Sequence, residues 1–310
     1  MIDLSAVVPV FNEEQGLVEL HRRLSAALLA SGLSSEIVLV NDGSRDQSAV
    51  VLDDLAVKNP SVTVVHLSRN FGHQAALAAG LAHARGRAVV VLDADLQDPP
   101  ELIPALVEQW QQGFQVVYAQ RVNRRGEPLS KRLFAWLYYR VVRRLADVDL
   151  PVDTGDFCLM DRVVLDQLTA MPEHHRYIRG LRTWVGFRQT AVPFERAARH
   201  AGEVKYTFRK SLGLALNGIF SLSTAPLRAA TWLGILISAG SFGLALWAIY
   251  QKLSGRFTVP GWASTVVIVL FLGGVQLLTI GIIGEYLGRV YDEVKRRPLY
   301  VVSRITRLAE

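Results

Sequence analysis

Over the first 120 residues, short valine-rich runs alternate with longer stretches whose apolar positions recur at helical spacing. The short runs predict strands at 4–10, 36–41, 62–67, 88–92 and 115–119, and the intervening patterns predict helices at 14–30, 44–58, 72–84 and 100–111. Such alternation builds an α/β unit, a parallel sheet covered by helices, over residues 1 to about 200. In the last third the pattern changes. No Lys, Arg, Asp or Glu stands between Arg228 and Lys252, or between Arg256 and Glu285. A membrane span needs roughly 20 apolar residues, so two membrane helices are expected at 229–250 and 264–285.

Basic residues flank this pair: Lys205, Arg209, Lys210 and Arg228 precede it, and Arg289, Lys295, Arg296, Arg297 and Arg304 follow it. The connecting loop holds only Lys252 and Arg256. The positive-inside rule then places both termini in the cytoplasm. Glycines at 273, 274, 281, 284 and 288 give the second helix a small-residue face. Packing within the hairpin and self-association explain that face equally well. Residues 208–222 are apolar at helical spacing beside Arg209 and Lys210, the pattern of an interfacial helix or of a soluble amphipathic one.

Half of the 310 residues are apolar, enough for a substantial core, and the net charge is +6. That charge suits nucleic acid, an anionic membrane or a phosphorylated substrate. No groove-reading motif or aromatic platform supports nucleic acid. The single cysteine, Cys158, excludes an internal disulfide. The N-terminal MIDLSAVVPVFNEE lacks the basic region of a signal peptide, so the sheet unit is expected to stay in the cytoplasm.

In open α/β sheets ligands bind beyond the carboxyl ends of the strands. Here those ends read PVFNEE, VNDGS, LSRNFG, LDADLQD and YAQR. Asn41, Asp42, Gly43 and Ser44 would by themselves make an ordinary turn and helix cap. Asp42, Asp93 and Asp95 ask for more, because three carboxylates on one edge repel unless a cation or donor groups compensate them. Asp93 and Asp95, two apart on an extended strand end, point the same way. They suit Mg²⁺ or Mn²⁺, which takes one or two protein carboxylates and fills its shell with water and substrate phosphates. Gln97 can add an amide oxygen, and Pro99 and Pro100 end one element and open the next. His73 is expected to cap a helix or sit on the surface, with a place near the ligand edge as the alternative.

The segments VVPVFNEE, VNDGSRD, LSRNFGHQAAL, LDADLQDPPE, TGDFCLMDR and GEYLGRVYDEVKRRPLY resemble the family 2 glycosyltransferases that act on polyprenyl phosphates. The likeness is greatest to bactoprenol (undecaprenyl-phosphate) glucosyltransferases, relatives of dolichol-phosphate mannose synthases, and runs over almost the entire chain. It implies a GT-A catalytic domain over 1–200, with a mixed, mostly parallel sheet and flanking helices. A juxtamembrane segment over 201–226, a transmembrane hairpin over 227–288 and a cytoplasmic basic tail over 289–310 would follow. The resemblance places Pro9, Val10, Glu13 and Asp42 at the nucleotide base and ribose, and Asp93 both beside the nucleotide sugar and on the metal. Asp95 and Gln97 would complete the metal ligands. Arg121 and Lys131 match the acceptor-phosphate positions, Asp156 the active-site aspartate, and Arg199 and Lys205 the contacts to the diphosphate.

The reaction so implied is inverting transfer of a hexose, glucose foremost, from a UDP-sugar to undecaprenyl phosphate. It would take place at the cytoplasmic face of a bacterial inner membrane. The implied partners are the lipid bilayer, further copies of the chain in a homo-oligomer and a downstream flippase. Another donor such as GDP-mannose, or a catalytically silent membrane scaffold, is the alternative. A processive polysaccharide synthase would need a Q-x-x-R-W motif and more membrane helices, and the sequence has neither. Asp156 is either an active-site group or a cap of the TGDF turn.

Overall fold

The computed structural model describes residues 2–121, 154–174, 176, 178–194, 224–254 and 261–308. Its strands are β1 (Leu4–Val10), β2 (Ser35–Asn41), β3 (Val62–Leu67), β4 (Ala88–Val91), β5 (Val116–Arg121), β6 (Thr154–Asp161), β7 (Gln189–Phe194) and β8 (Val302–Arg307). They form one sheet in the order β7-β5-β6-β4-β1-β2-β3-β8. Neighbours from β4 through β1 and β2 to β3 run parallel, whereas β6 and β8 enter antiparallel. The sheet is therefore mixed, as expected.

Every residue of β1 is buried, and the two-residue strand period deals the side chains to opposite faces. Leu4, Ala6, Val8 and Val10 pack with α1 (Leu17–Ala30), α2 (Ser48–Lys58) and α4 (Ile103–Gln111). Val7 faces the other way, with Val38, Val40 and the alanine-rich α3 (His73–His83). The helices α5 (Arg162–Ala170) and α6 (Ile178–Trp184) complete that second layer. A strand covered on both faces reads as an unbroken apolar run, and the predicted central strands do so for this reason.

Two predicted helices begin later than expected, at Leu17 rather than 14 and at Ser48 rather than 44. The cause is a pair of loops that satisfy each other's backbone. The N–H groups of Asn12, Glu13 and Glu14 donate to Ser44 Oγ, Ser48 Oγ and Asp46 Oδ2 at 3.1, 3.0 and 3.3 Å. In return Arg45 N–H donates to Asn12 Oδ1 at 2.8 Å and Gln47 N–H to Glu14 Oε2 at 2.8 Å. Gly43 lies in the left-handed region (φ 64°), and a Cβ there would meet the Arg69–Asn70 backbone at 2.5 Å. Only glycine fits this turn.

Three strands escape the sequence pattern. β6 carries Asp156 and Asp161 among its apolar residues, β7 is an edge strand containing Pro193, and β8 is an exposed edge strand with two arginines. Edge strands need no continuous apolar face, and proline is confined to them. The segment 289–310, expected as a basic tail, thus contributes β8 to the sheet.

The apolar C-terminal stretches form α7 (Ala225–Leu253) and α8 (Trp262–Lys295), longer than the predicted spans. Both are long and apolar enough to cross a membrane, with mean hydropathies of 1.8 and 2.4 over an 18-residue window within Ala225–Gln251 and Val267–Lys295. They touch each other, and their large side chains, such as Trp232, Leu236 and Leu277, are exposed. Residues 208–222 lie outside the described residues.

Candidate active site

The ends of β1, β2 and β4, the start of β6 and the first turns of α3 and α6 enclose a cleft of about 390 Å³. Sheet register explains the meeting of Asp93 and Asp156. Val91 on β4 pairs with Cys158 on the antiparallel β6, so Asp93, two residues after Val91, and Asp156, two residues before Cys158, reach the same edge. The TGDF segment is therefore strand rather than the turn considered from sequence.

Asp156 is nearly inaccessible, its side chain 5 % exposed, and both oxygens are engaged. Arg179 grips it in a fork, Nε to Oδ1 at 2.7 Å and Nη2 to Oδ2 at 3.0 Å. His73 Nε2–H donates to Oδ2 at 3.0 Å. Burial alone would raise the Asp156 pKa, but the Arg179 charge and these hydrogen bonds hold it well below the usual carboxylate range. The protein around His73 disfavours its charged form, yet the Asp156 hydrogen bond and the Asp93 and Asp156 charges raise its pKa above the ordinary value. His73 is the first residue of α3, exposed as expected, and it takes part in the cluster rather than serving as a cap.

Asp93 is in the opposite condition. Burial, reinforced by the Asp156, Asp98 and Asp95 charges and opposed by His73, pushes its carboxyl up to about 6. Its Oδ1 is buried without a hydrogen-bond partner, 3.7 Å from His73 Nε2. An unsatisfied anionic oxygen at a cleft wall is costly unless something binds there. Asp95 lines the same wall, and its Oδ1 accepts the Gln97 N–H at 3.1 Å across Leu96, which is left-handed at φ 56°.

The donor set at this edge fits a hard divalent cation: two carboxylates, one with an orphaned oxygen, in a cleft open to further oxygen ligands. His73, Asp93 and Asp156 offer ligand atoms within 4.8 Å of one another. Arg179 and His73 already occupy Asp156, so the fit concentrates on Asp93 and Asp95. Gln97 is not among the residues lining the cleft.

The remaining expected residues divide clearly. Pro9, Val10, Glu13 and Asp42 line the cleft. Asp42 does so with both oxygens committed, accepting from Phe71 N–H at 2.7 Å and Gly72 N–H at 3.0 Å. Burial raises its pKa against the pull of those two bonds. Arg121, at the end of β5, stands off the cleft lining with Nη2 3.6 Å from Asp98 Oδ1. Lys131, Arg199 and Lys205 lie outside the described residues. Arg179 was not foreseen. Its only signal in the sequence is the basic run HRYIRG, which by itself reads as solvated charge.

A mixed, mostly parallel sheet with an acid-rich ligand edge defines a GT-A-type glycosyltransferase fold. Residues 5–169 match the model of "Glycosyl transferase family 2", and the chain belongs to that family. It is 48 % identical over 302 residues to an uncharacterized glycosyltransferase of Synechocystis sp., covering 97 % of this chain and 95 % of the relative. It is 41 % identical over 301 residues to the bactoprenol glucosyl transferase of Shigella phage SfII, covering 97 % of each. Among solved structures, mannosyl-3-phosphoglycerate synthase from Rubrobacter xylanophilus is similar in fold, with a TM-score of 0.50 at 18 % identity, covering 84 % of this chain and 78 % of that one. The protein is accordingly a glycosyltransferase with bactoprenol glucosyl transferases among its homologues.

Proposed function

We propose that the protein transfers a hexose, glucose foremost, from a UDP-sugar to undecaprenyl phosphate, with inversion and with Mg²⁺ or Mn²⁺. The observation that carries this reading is the orphaned Asp93 oxygen beside Asp95 in a cleft framed by Pro9, Val10, Glu13 and Asp42. A bound nucleoside diphosphate and cation answer that defect together. The 41 % identity to a bactoprenol glucosyl transferase over 97 % of both chains supports the acceptor and the sugar.

In this mechanism Asp93 and Asp95 would hold the cation, which when bound would supply positive charge to offset that developing on the leaving diphosphate. Pro9, Val10, Glu13 and Asp42 frame the base and ribose. The lipid phosphate is already an anion at neutral pH, so no side chain has to remove a proton from it. Catalysis rests on alignment and charge stabilisation. Asp156, kept ionised by Arg179 and His73, serves as a fixed hydrogen-bond acceptor that orients the sugar or the acceptor. Arg121, Lys131, Arg199 and Lys205 supply cations for the phosphates, and in-line attack inverts the anomeric carbon. The two apolar helices anchor the sheet unit at the cytoplasmic face, with both termini inside, where the basic flanks favour them.

The test incubates detergent-purified protein with undecaprenyl phosphate, Mg²⁺ or Mn²⁺ and a panel of labelled nucleotide sugars, with Asp95→Asn in parallel. Label is expected in the lipid from UDP-glucose and not in the variant. Transfer from a different donor would correct the sugar, and absence of transfer from any donor would overturn the assignment.

A further inference from the structure

The last strand of the chain follows the second apolar helix and seats on the outer edge of the sheet, beside β3. Ser68 N–H donates to Val301 O at 2.9 Å, and Ser303 Oγ donates to His66 O at 3.0 Å. From this strand a line of polar side chains crosses to the cleft. Arg304 grips Asp53 on α2 with both terminal nitrogens, Nη1 to Oδ1 at 3.0 Å and Nη2 to Oδ2 at 2.6 Å. Asp53 Oδ1 lies 3.0 Å from His66 Nε2, and His66 Nδ1 lies 3.1 Å from Asn41 Nδ2. Asn41 Oδ1 accepts the Ser44 N–H at 3.0 Å, and Ser44 Oγ accepts the Asn12 N–H at 3.1 Å.

The direction of these bonds is determined. Asn41 uses its oxygen on Ser44, so its Nδ2 donates to His66 Nδ1, and His66 must carry its proton on Nε2 and donate to Asp53. The ring is 4 % exposed. Burial lowers its pKa, the Asp53 charge opposes this, and the Arg304 charge lowers it further, consistent with a neutral imidazole. A histidine within the valine-rich VTVVHL thus has each nitrogen assigned to one neighbour. The chain of contacts ends at Asn41 and Ser44, next to Asp42, and at Asn12, next to Glu13. An exposed arginine–carboxylate pair alone contributes little to stability. Here the same carboxylate also accepts from a buried ring whose other nitrogen accepts from Asn41.

We propose that Arg304 is a positioning residue for the donor loops at 12–14 and 41–48, acting through Asp53, His66 and Asn41, so that seating of the C-terminal strand sets the affinity of the cleft for its nucleotide. The inference rests on the reading of the cleft as a nucleotide-sugar site. It makes the strand that follows the membrane helices part of donor binding, although Arg304 lines no part of the cleft.

Two readouts on the full-length protein in detergent test it: amide hydrogen exchange, and calorimetric binding of UDP with Mg²⁺. In Arg304→Ala, exchange at 12–14 and 41–48 should rise at least ~5-fold, and the UDP Kd should rise ~5-fold, with kcat at saturating donor changed by less than ~2-fold. Arg304→Lys, which keeps a charge opposite Asp53, should recover most of both effects. If exchange rises only at 62–67 and 302–307, Arg304 is a local strand clamp and the proposal is overturned. It is equally overturned if Arg304→Ala binds UDP as the wild type does. If the wild type itself binds no UDP, the nucleotide reading of the cleft fails instead, and the exchange experiment decides the positioning claim by itself.

Discussion

Two stretches of the ligand edge, built from neighbouring strands, are in opposite states. At the ends of β1 and β2 the backbone donors of 12–14 and the acceptors of 41–48 are matched to each other. At the end of β4 Asp93 keeps a buried oxygen without a partner and its pKa is pushed up to about 6. The matched loops satisfy their own polar groups, whereas the acid wall leaves one carboxylate oxygen unsatisfied. Polar groups that a fold leaves unsatisfied beside fully satisfied ones mark where binding energy is to be found.

The largest expected effect comes from breaking the acid wall. Asp95→Asn should lower transfer by ~10³-fold or more, while the melting temperature, read by differential scanning fluorimetry, stays at the wild-type value. Next comes the cluster behind that wall. Arg179→Ala strands the buried Asp156 carboxylate and should destabilise the protein by about 3 kcal/mol, measurable by denaturant titration of the detergent-solubilised protein. In the frame, Gly43→Ala forces a Cβ into the Arg69–Asn70 backbone in a left-handed turn. A cost of about 2 kcal/mol is expected, together with weaker UDP binding.

A pH titration probes the acid wall. The raised pKa of Asp93 means that its stabilising contribution is present at low pH and is lost as pH rises through about 6. Cation binding requires the ionised form, so Mn²⁺ affinity should drop about fivefold between pH 6 and pH 5, as followed by electron paramagnetic resonance of free Mn²⁺. The smallest effect is expected for Ser44→Ala, which removes one acceptor from Asn12 N–H. A loss of about 1 kcal/mol should accompany a modest rise in the donor KM.

The parallel half of the fold was legible because its strands are buried on both faces, so β1, β2, β3 and β4 appear as apolar runs ended by polar turns. The antiparallel β6 was not, since its acids interrupt the run, and the edge strands β7 and β8 lack any apolar continuity to detect. Candidate site residues divide similarly. Pro9, Val10, Glu13, Asp42, Asp93 and Asp95 stand at strand ends, where sequence order alone brings them together, and all of them line the cleft. Arg179 and the true setting of His73 depend on contacts across 23 and 83 residues to Asp156. Helical spacing cannot reveal such pairs. The two long apolar helices were legible from composition, although α8 continues to Lys295 because the charged residues after Glu285 still form good helix.

The most direct measurement is calorimetric titration of the detergent-purified protein with UDP, in Mn²⁺ and in chelator, for the wild type and Asp93→Asn. A cleft completed by cation and nucleotide predicts that Mn²⁺ tightens UDP binding at least ~10-fold in the wild type and by less than ~2-fold in the variant. Equal UDP affinity with Mn²⁺ and with chelator in the wild type would contradict the assignment of the acid wall to a metal-bound diphosphate.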